Sequence, residues 1–261
     1  MQDLRRAQFA IEGIRINIAS APHAVSSIIA TLRNNESFCV NTLNLDHVVK
    51  LRQDSKFRDA YRRARFVTAD GFPIVVMARS AGIPIARTAG SDLVEPLCAE
   101  AARRQLPVFL FGTSEGALAV SAKHLRERHP GLNIADRLAP SSDFDPESTE
   151  ADAAIERLRH SGARLCLLAL GAPKQEIFAA RCLDRLSGAA LVCIGAGLDF
   201  IAGTQTRAPK LAQNSGLEWL WRLACSPRRL APRYARCLAV VPPLVAHTLP
   251  QIVSARVGRA A

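Results

Sequence analysis

Aromatic residues are scarce in this sequence, at 5%, with only two Trp and two Tyr. A surface that reads nucleic acid by base stacking needs more interleaved aromatics than this. No CxxC pair occurs among the seven cysteines, and several lie inside apolar runs such as LCLLAL and LVCIG. They read as reduced core thiols rather than disulfides or zinc ligands. HExxH, Walker A and GxGxxG patterns are missing as well, and the six histidines are scattered. This argues against a zinc protease, a P-loop NTPase and a dinucleotide-dependent oxidoreductase. The first residues, MQDLRRAQFAIEGI, lack the clean apolar core of a secretory signal.

Acidic residues are nearly absent from one end. From Ile201 to Ala261 there are eight Arg and one Lys against a single acid, Glu218, so +8 of the net charge of +11 lies there. The first 200 residues carry only +3 (11 − 8). This compositional boundary, near Thr204 to Pro209, divides a core of residues 1–203 from a basic C-terminal appendage of residues 204–261. So basic a segment seeks a polyanion: an anionic membrane, a phosphorylated substrate or nucleic acid.

What is present upstream is alternation. The predicted strands are Phe38–Leu43, Phe66–Ala69, Val108–Phe111, Leu132–Ala135, Leu165–Leu170 and Ala190–Ile194, the later ones almost wholly apolar. Helical patterns run over Ser91–Arg104, Glu115–His129, Glu147–His160 and Lys174–Leu186, and Phe9–Ile18 reads as a hairpin or edge strand. The fold class is α/β, a Rossmann-like parallel sheet flanked by helices. Ligands in such sheets bind beyond the carboxyl ends of the strands, so the residues just after each strand carry the chemistry.

Those strand ends are polar or glycine-rich. Thr42 and Asn44 close the first strand, and Asp70 follows the second, as a candidate general base or an ordinary Asp-Gly turn. Gly112, Thr113 and Ser114 precede a helix and suit either a diphosphate or a plain helix cap. Lys174 and Gln175 open a helix after Pro173 and suit phosphate and sugar hydroxyls. Asp143-Phe144-Asp145 has the form of a metal-holding DxD, but Asp145 followed by Pro146 reads better as a helix start.

Taken together, Thr42 to Asn44, ARFVTADGFPIV, Arg87 with Gly90-Ser91-Asp92, VFLFGTSEG, LALGAPKQE, CIGAGLDFIAGTQTRAP and GLEWLWRL…PRRLAPR resemble the WecG/TagA/CpsF glycosyltransferases over about residues 10–236. The resemblance implies an inverting, metal-independent transfer, with no cofactor, from a UDP-sugar to an undecaprenyl-diphosphate-linked sugar in exopolysaccharide or other surface-polysaccharide synthesis. It implies Asp70 as base, Thr42 and Gln175 at the reacting centre, and Arg207, Arg222 and Arg229 or Arg233 on a diphosphate. Asn44, Arg87, Asp92, Gly112, Thr113, Ser114 and Lys174 complete the expected substrate site. A protein of this family is expected in the cytoplasm, peripheral on the inner face of the bacterial plasma membrane. UDP-glucose, UDP-ManNAc and UDP-ManNAcA are all open as donors, and homo-oligomerisation is open too. Trp219 and Trp221 beside Arg222, Arg228 and Arg229 suit a headgroup region. Residues 237–255 are uncharged apart from His247, but Pro242, Pro243 and Pro250 argue for an interfacial segment rather than a spanning one. The competing readings are another nucleotide-binding enzyme of this fold and a basic nucleic-acid-binding protein.

Overall fold

The computed structural model describes residues 9–209, 211–212 and 218–260; inside its helices, the side chains of residues 222, 225, 229, 247 and 251–260 lie outside that description. Six parallel strands form one sheet: β3 (Phe38–Leu43), β4 (Phe66–Ala69), β5 (Val108–Gly112), β6 (Ile134–Leu138), β7 (Leu165–Ala169) and β8 (Ala190–Cys193), in the spatial order β4-β3-β8-β7-β5-β6. A separate two-stranded hairpin, β1 (Ala10–Ile11) and β2 (Ile14–Arg15), precedes it. Its turn holds Glu12 and Gly13 at positive φ (51° and 75°), the backbone that a two-residue hairpin loop demands.

Helices cover both faces, as near-continuous apolar strands require. Helices α1 (Ala21–Thr31), α5 (Gly90–Arg104) and α6 (Glu115–Arg128) pack Ile28, Leu97 and Leu118 against Val40, Leu110, Leu167 and Val192. On the opposite face α7 (Thr149–His160) and α8 (Lys174–Cys182) set Ile155 and Phe178 against Phe109, Phe111, Cys166 and Leu191. A third cluster joins the hairpin to α2 (Leu45–Gln53), α3 (Ser55–Arg62) and α4 (Phe72–Ser80). The short α9 (Gly197–Ala202) lies against α5 and α6. Two further helices, α10 (Glu218–Cys225) and α11 (Pro227–Ala260), make up the basic end.

Helix α11 runs unbroken through Pro232 and through Pro242, Pro243 and Pro250, the last three being where the sequence suggests interruption. All four prolines are exposed, as are the residues four positions before them, whose carbonyls lose a helical partner. Leu230, Cys237 and Leu244, seven residues apart, with Thr248 one turn on, form the buried stripe, and Leu244 joins the cluster of α2 and α4. Among the described residues no helix is long and apolar enough to cross a membrane.

Other expectations shift by a few residues. Strand β6 begins two residues after Leu132 and continues through Asp136 and Arg137, whose charges hid it; Arg157 pairs with Asp136 at 2.7 Å and Glu115 with Arg137 at 3.0 Å. Helix α7 starts at Thr149 with Ser148 as its cap, not at Asp145 and Pro146; Asp145 accepts instead from the Glu147 amide at 2.9 Å. Helix α8 ends at Cys182 rather than Leu186, and Pro173 is its cap residue.

Both outer edges of the sheet are occupied by side chains. At β4, the Asn17 side chain donates to Arg65 O (2.7 Å) and accepts from Val67 N (2.8 Å). At β6, Arg126 and Arg157 donate to the carbonyls of Ile134 and Arg137 at 3.1 and 3.0 Å. Such guarding blunts an edge that would otherwise template another strand.

A buried relay ties α2 and α3 to the end of β3. The Tyr61 hydroxyl donates to Thr42 O at 3.0 Å, so its oxygen receives the proton on His47 Nδ1, 2.6 Å away. Burial holds His47 neutral by pulling its pKa from 6.5 to about 3. A depressed folded-state pKa gives stability that is complete above pH 6.5 and drains away as the pH falls toward 3. His47→Gln should therefore lose stability less steeply than wild type between pH 6.5 and 4 in urea titrations, and parallel slopes would show that His47 is not held neutral. Tyr61→Phe, which strands the Thr42 carbonyl, should cost about 1–3 kcal/mol at pH 7.

Candidate active site

Parallel pairing brings the first two strand ends together. Leu43 lies opposite Ala69 in the β3–β4 register, so Asn44 and Asp70 emerge side by side, with Asp70 N–H donating to Leu43 O at 2.8 Å. Asn44 caps α2 by accepting from His47 N (3.0 Å) and offers its Nδ2 to Asp70 Oδ2 at 3.5 Å. Gly71, at φ 98°, turns the chain from Asp70 into α4, a conformation that a side chain would strain. Thr42, one strand residue back, is buried.

Arg87 lies at the centre of the charges around Asp70. Its guanidinium is 3.8 Å from Asp70 Oδ1, 3.3 Å from Asp92 Oδ2 and 3.7 Å from Glu218 Oε2. Asp92 closes the start of α5 by accepting from Ala89 N at 3.0 Å and also pairs with Arg207, which stacks 5.8 Å over the Phe200 ring. Asp70, Arg87, Asp92 and Arg207 are thus one network, and Glu218 at the head of α10 connects the C-terminal helices to it. Trp219 meets Tyr234 edge to face at 5.9 Å, joining α10 to α11.

The loops after β7 and β8 meet at Gln175. Its Oε1 accepts from Gly195 N at 3.2 Å and its Nε2 donates to Glu176 Oε1 at 2.8 Å. Both residues are buried, Gln175 at 2% exposure and Glu176 at 0%. Burial pushes the Glu176 carboxyl up to about 7, against the lowering effect of the Gln175 hydrogen bond. Among the described residues, Glu176 Oε2 and both side-chain atoms of Asn41, on β3, have no hydrogen-bond partner. The half-buried Lys174 opens α8 beside them, after a cis Ala172–Pro173 peptide.

A cleft of about 350 Å³ adjoins Pro173, lined by Asp46, Lys50, Gln53, Arg233 and Arg236 between α2 and α11. Arg233 pairs with Asp46 at 2.9 Å, and Lys50 pairs with the same carboxylate. Burial pushes the Asp46 carboxyl up, but the Arg233 and Lys50 cations outweigh it and hold it below the usual carboxylate range. The side chains of Arg222 and Arg229 lie outside the described residues.

Gly112, Thr113 and Ser114 have local roles. A Cβ on Gly112 (φ 120°) would come within 2.3 Å of Ala169 O, so glycine here permits close strand packing. Thr113 Oγ1 donates to Asp199 at 2.5 Å, and Ser114 caps α6 by accepting from Ala117 N at 3.3 Å. They lie at the same carboxyl end of the sheet but across β3, β8 and β7 from Asp70. Among the described residues no group of three or more His, Cys, Asp or Glu is gathered as a metal would need.

Sequence reasoning passed over three acids: Glu176, Glu218 and Asp46. Glu218 carries a legible signal, being the single acid in the last 61 residues. Glu176 gives none, because a Glu in the first turn of a helix is ordinary dipole chemistry. The Arg87–Glu218 pair is partly solvated and is worth about 0.5–1 kcal/mol, a factor of about 2–5 in a closing equilibrium. Glu218→Ala should therefore speed tryptic cleavage after Arg207 by about that factor, and equal rates would show that the pair does not hold α10.

The profile of the Glycosyl transferase WecG/TagA/CpsF family matches residues 9–257, nearly the whole chain and every element of the site described above. The protein belongs to the WecG/TagA/CpsF family of glycosyltransferases.

Proposed function

We propose that this glycosyltransferase moves a sugar from a UDP-sugar onto a sugar carried by a lipid diphosphate, with inversion and without a metal, and that Asp70 is the general base. The observation that carries this reading is the carboxylate of Asp70 at a strand end, steadied by Asn44 and facing a guanidinium that also reaches the C-terminal helices. In the proposed step the acceptor hydroxyl oxygen attacks the anomeric carbon and its proton passes to Asp70. The bond from that carbon to the UDP oxygen breaks, and its electron pair leaves on the diphosphate. One in-line displacement of this kind inverts the anomeric centre and asks for a single base.

The guanidiniums supply the countercharge. Arg87, Arg207 and Arg233 each rest on carboxylates, and a diphosphate offers the same planar, two-oxygen recognition with more charge. Exchange of Asp92 and Asp46 for phosphate oxygens would bring donor and acceptor together without building new positive charge. Thr42 and Gln175, both buried, would form the floor beneath the reacting sugar. Asn44, Lys174 and the Gly112 to Ser114 turn would border the donor.

Asp70→Asn should keep its fold and lose about 100-fold or more in kcat, read as UDP release from a panel of UDP-glucose, UDP-ManNAc and UDP-ManNAcA with short-chain lipid-diphosphate acceptors. Undiminished turnover would remove Asp70 from this role. Thermal stabilisation by NAD but not by UDP would favour a different nucleotide-dependent reaction.

The lipid acceptor calls for contact with a bilayer surface. Leu220, Trp221, Leu238 and Leu249 are exposed on the basic helices, a combination that suits peripheral attachment to an anionic leaflet on the cytoplasmic side. The full chain should co-sediment with phosphatidylglycerol vesicles at low salt and release progressively toward 0.5 M NaCl. No co-sedimentation at low salt would count against a membrane-surface enzyme, and a salt-sensitive gel shift with nucleic acid instead would favour the rival reading.

A further inference from the structure

Gln175 is held from two sides, and the two contacts leave its carboxamide one orientation. A backbone N–H only donates, so Gly195 N must meet Oε1, and Nε2 is turned toward Glu176. Flipping the amide would set two donors against each other at Gly195 and an oxygen against the Glu176 carboxyl. The terminal torsion of a glutamine is broad and weakly restrained on its own. Glu176 Oε1, at 2.8 Å, is the side-chain acceptor that completes the clamp. A carboxyl that is wholly buried, with Oε2 lacking a hydrogen-bond partner among the described residues, is costly to keep in a core. The neighbouring thiols Cys39 and Cys193 and the Tyr61 hydroxyl are all buried around it. Packing alone would be served better by a methionine of similar volume.

We propose that Glu176 is a positioning residue that fixes the Gln175 carboxamide, leaving one Nε2–H and one Oε1 lone pair for the bound sugar; this rests on the reading of Gln175 as part of the reacting centre. Neutral or ionised, Glu176 keeps an oxygen that accepts from Nε2, so the clamp persists across physiological pH. Release of the clamp would let the amide swing without unfolding the loops after β7 and β8, and misplacement by about 1 Å costs about 100-fold in rate.

The test compares wild type with Glu176→Met, Glu176→Gln and Glu176→Asp, alone and with Gln175→Ala. Glu176→Met should lower kcat about 10- to 100-fold with little change in KM for the UDP-sugar. Glu176→Gln, which restores the acceptor, should recover most of that loss, whereas Glu176→Asp, which keeps the charge but withdraws it by one methylene, should resemble the methionine variant and stands in for it if the latter does not fold. In the Gln175→Ala background the Met or Asp change should have no further effect. An equal further loss there would overturn the proposal, since Glu176 would then act independently of Gln175.

A second readout needs no turnover. The Gln175 Nε2 protons, identified by their loss in Gln175→Ala, should exchange with solvent at least about 10-fold faster in Glu176→Met than in wild type, since the hydrogen bond that protects them is gone. Unchanged exchange would overturn the clamp. If wild type turned over none of the UDP-sugars, the proposed reaction would fail while amide exchange still decided whether the clamp exists. Full activity of Gln175→Ala would remove Gln175 from the reacting centre, and the positioning role with it.

Discussion

The register of β3 against β4 governs the rest of the site. Leu43 opposite Ala69 makes Asn44 and Asp70 leave the sheet together, one into the cap of α2 and the other into the Gly71 turn. A slip of one residue would turn every side chain of β4 to the other face and carry Asp70 away from Arg87. The register is secured on both sides: Val40 pairs with Phe66 on one edge of β3 and with Val192 on the other. Below it, His47 and Tyr61 hold the Thr42 carbonyl. A polar site can be fixed here because the apolar strands beneath it leave so little freedom.

Electrostatics link that core to the C-terminal helices. A segment with a surplus of eight positive charges would repel itself if left to solvent, yet part of that charge is matched across the site, Arg207 by Asp92 and Arg233 by Asp46. The only acid of the segment, Glu218, lies on Arg87, so charge is exchanged in both directions. The guanidiniums are thereby held in place by ion pairs, and for the proposed diphosphate such ordering would lower the entropic cost of binding.

Much of the fold was legible, because a strand buried on both faces is written as a continuous apolar run. The predicted strands Leu165–Leu170 and Ala190–Ile194 each overrun the observed ones by a single residue for that reason. β6 shifted because an edge strand tolerates Asp136 and Arg137, whose partners come from distant helices. Helix α11 looked interrupted because sequence alone does not tell which way a proline faces. At the site, the position of Asp70 after a strand was readable, but its company was not: Arg87, Asp92, Arg207 and Glu218 span well over a hundred residues and meet only through tertiary packing. Gln175 was visible as a helix opener, whereas its confinement by Gly195 and Glu176 depends on two loops meeting at the sheet edge. Gly112 and Ser114 illustrate the converse, since a turn suited to phosphate is equally suited to close strand packing and a helix cap.

The guarded margins of the sheet bear on self-association. Asn17 occupies backbone groups along β4, and Arg126 and Arg157 occupy carbonyls of β6, so neither flank presents an open ladder to an incoming strand. Two copies of this chain would therefore have to meet through helix surfaces, where side-chain fit rather than main-chain pairing decides the partner. Such contacts are tunable by single substitutions and reversible, so copies brought close together are kept from zipping into fibres.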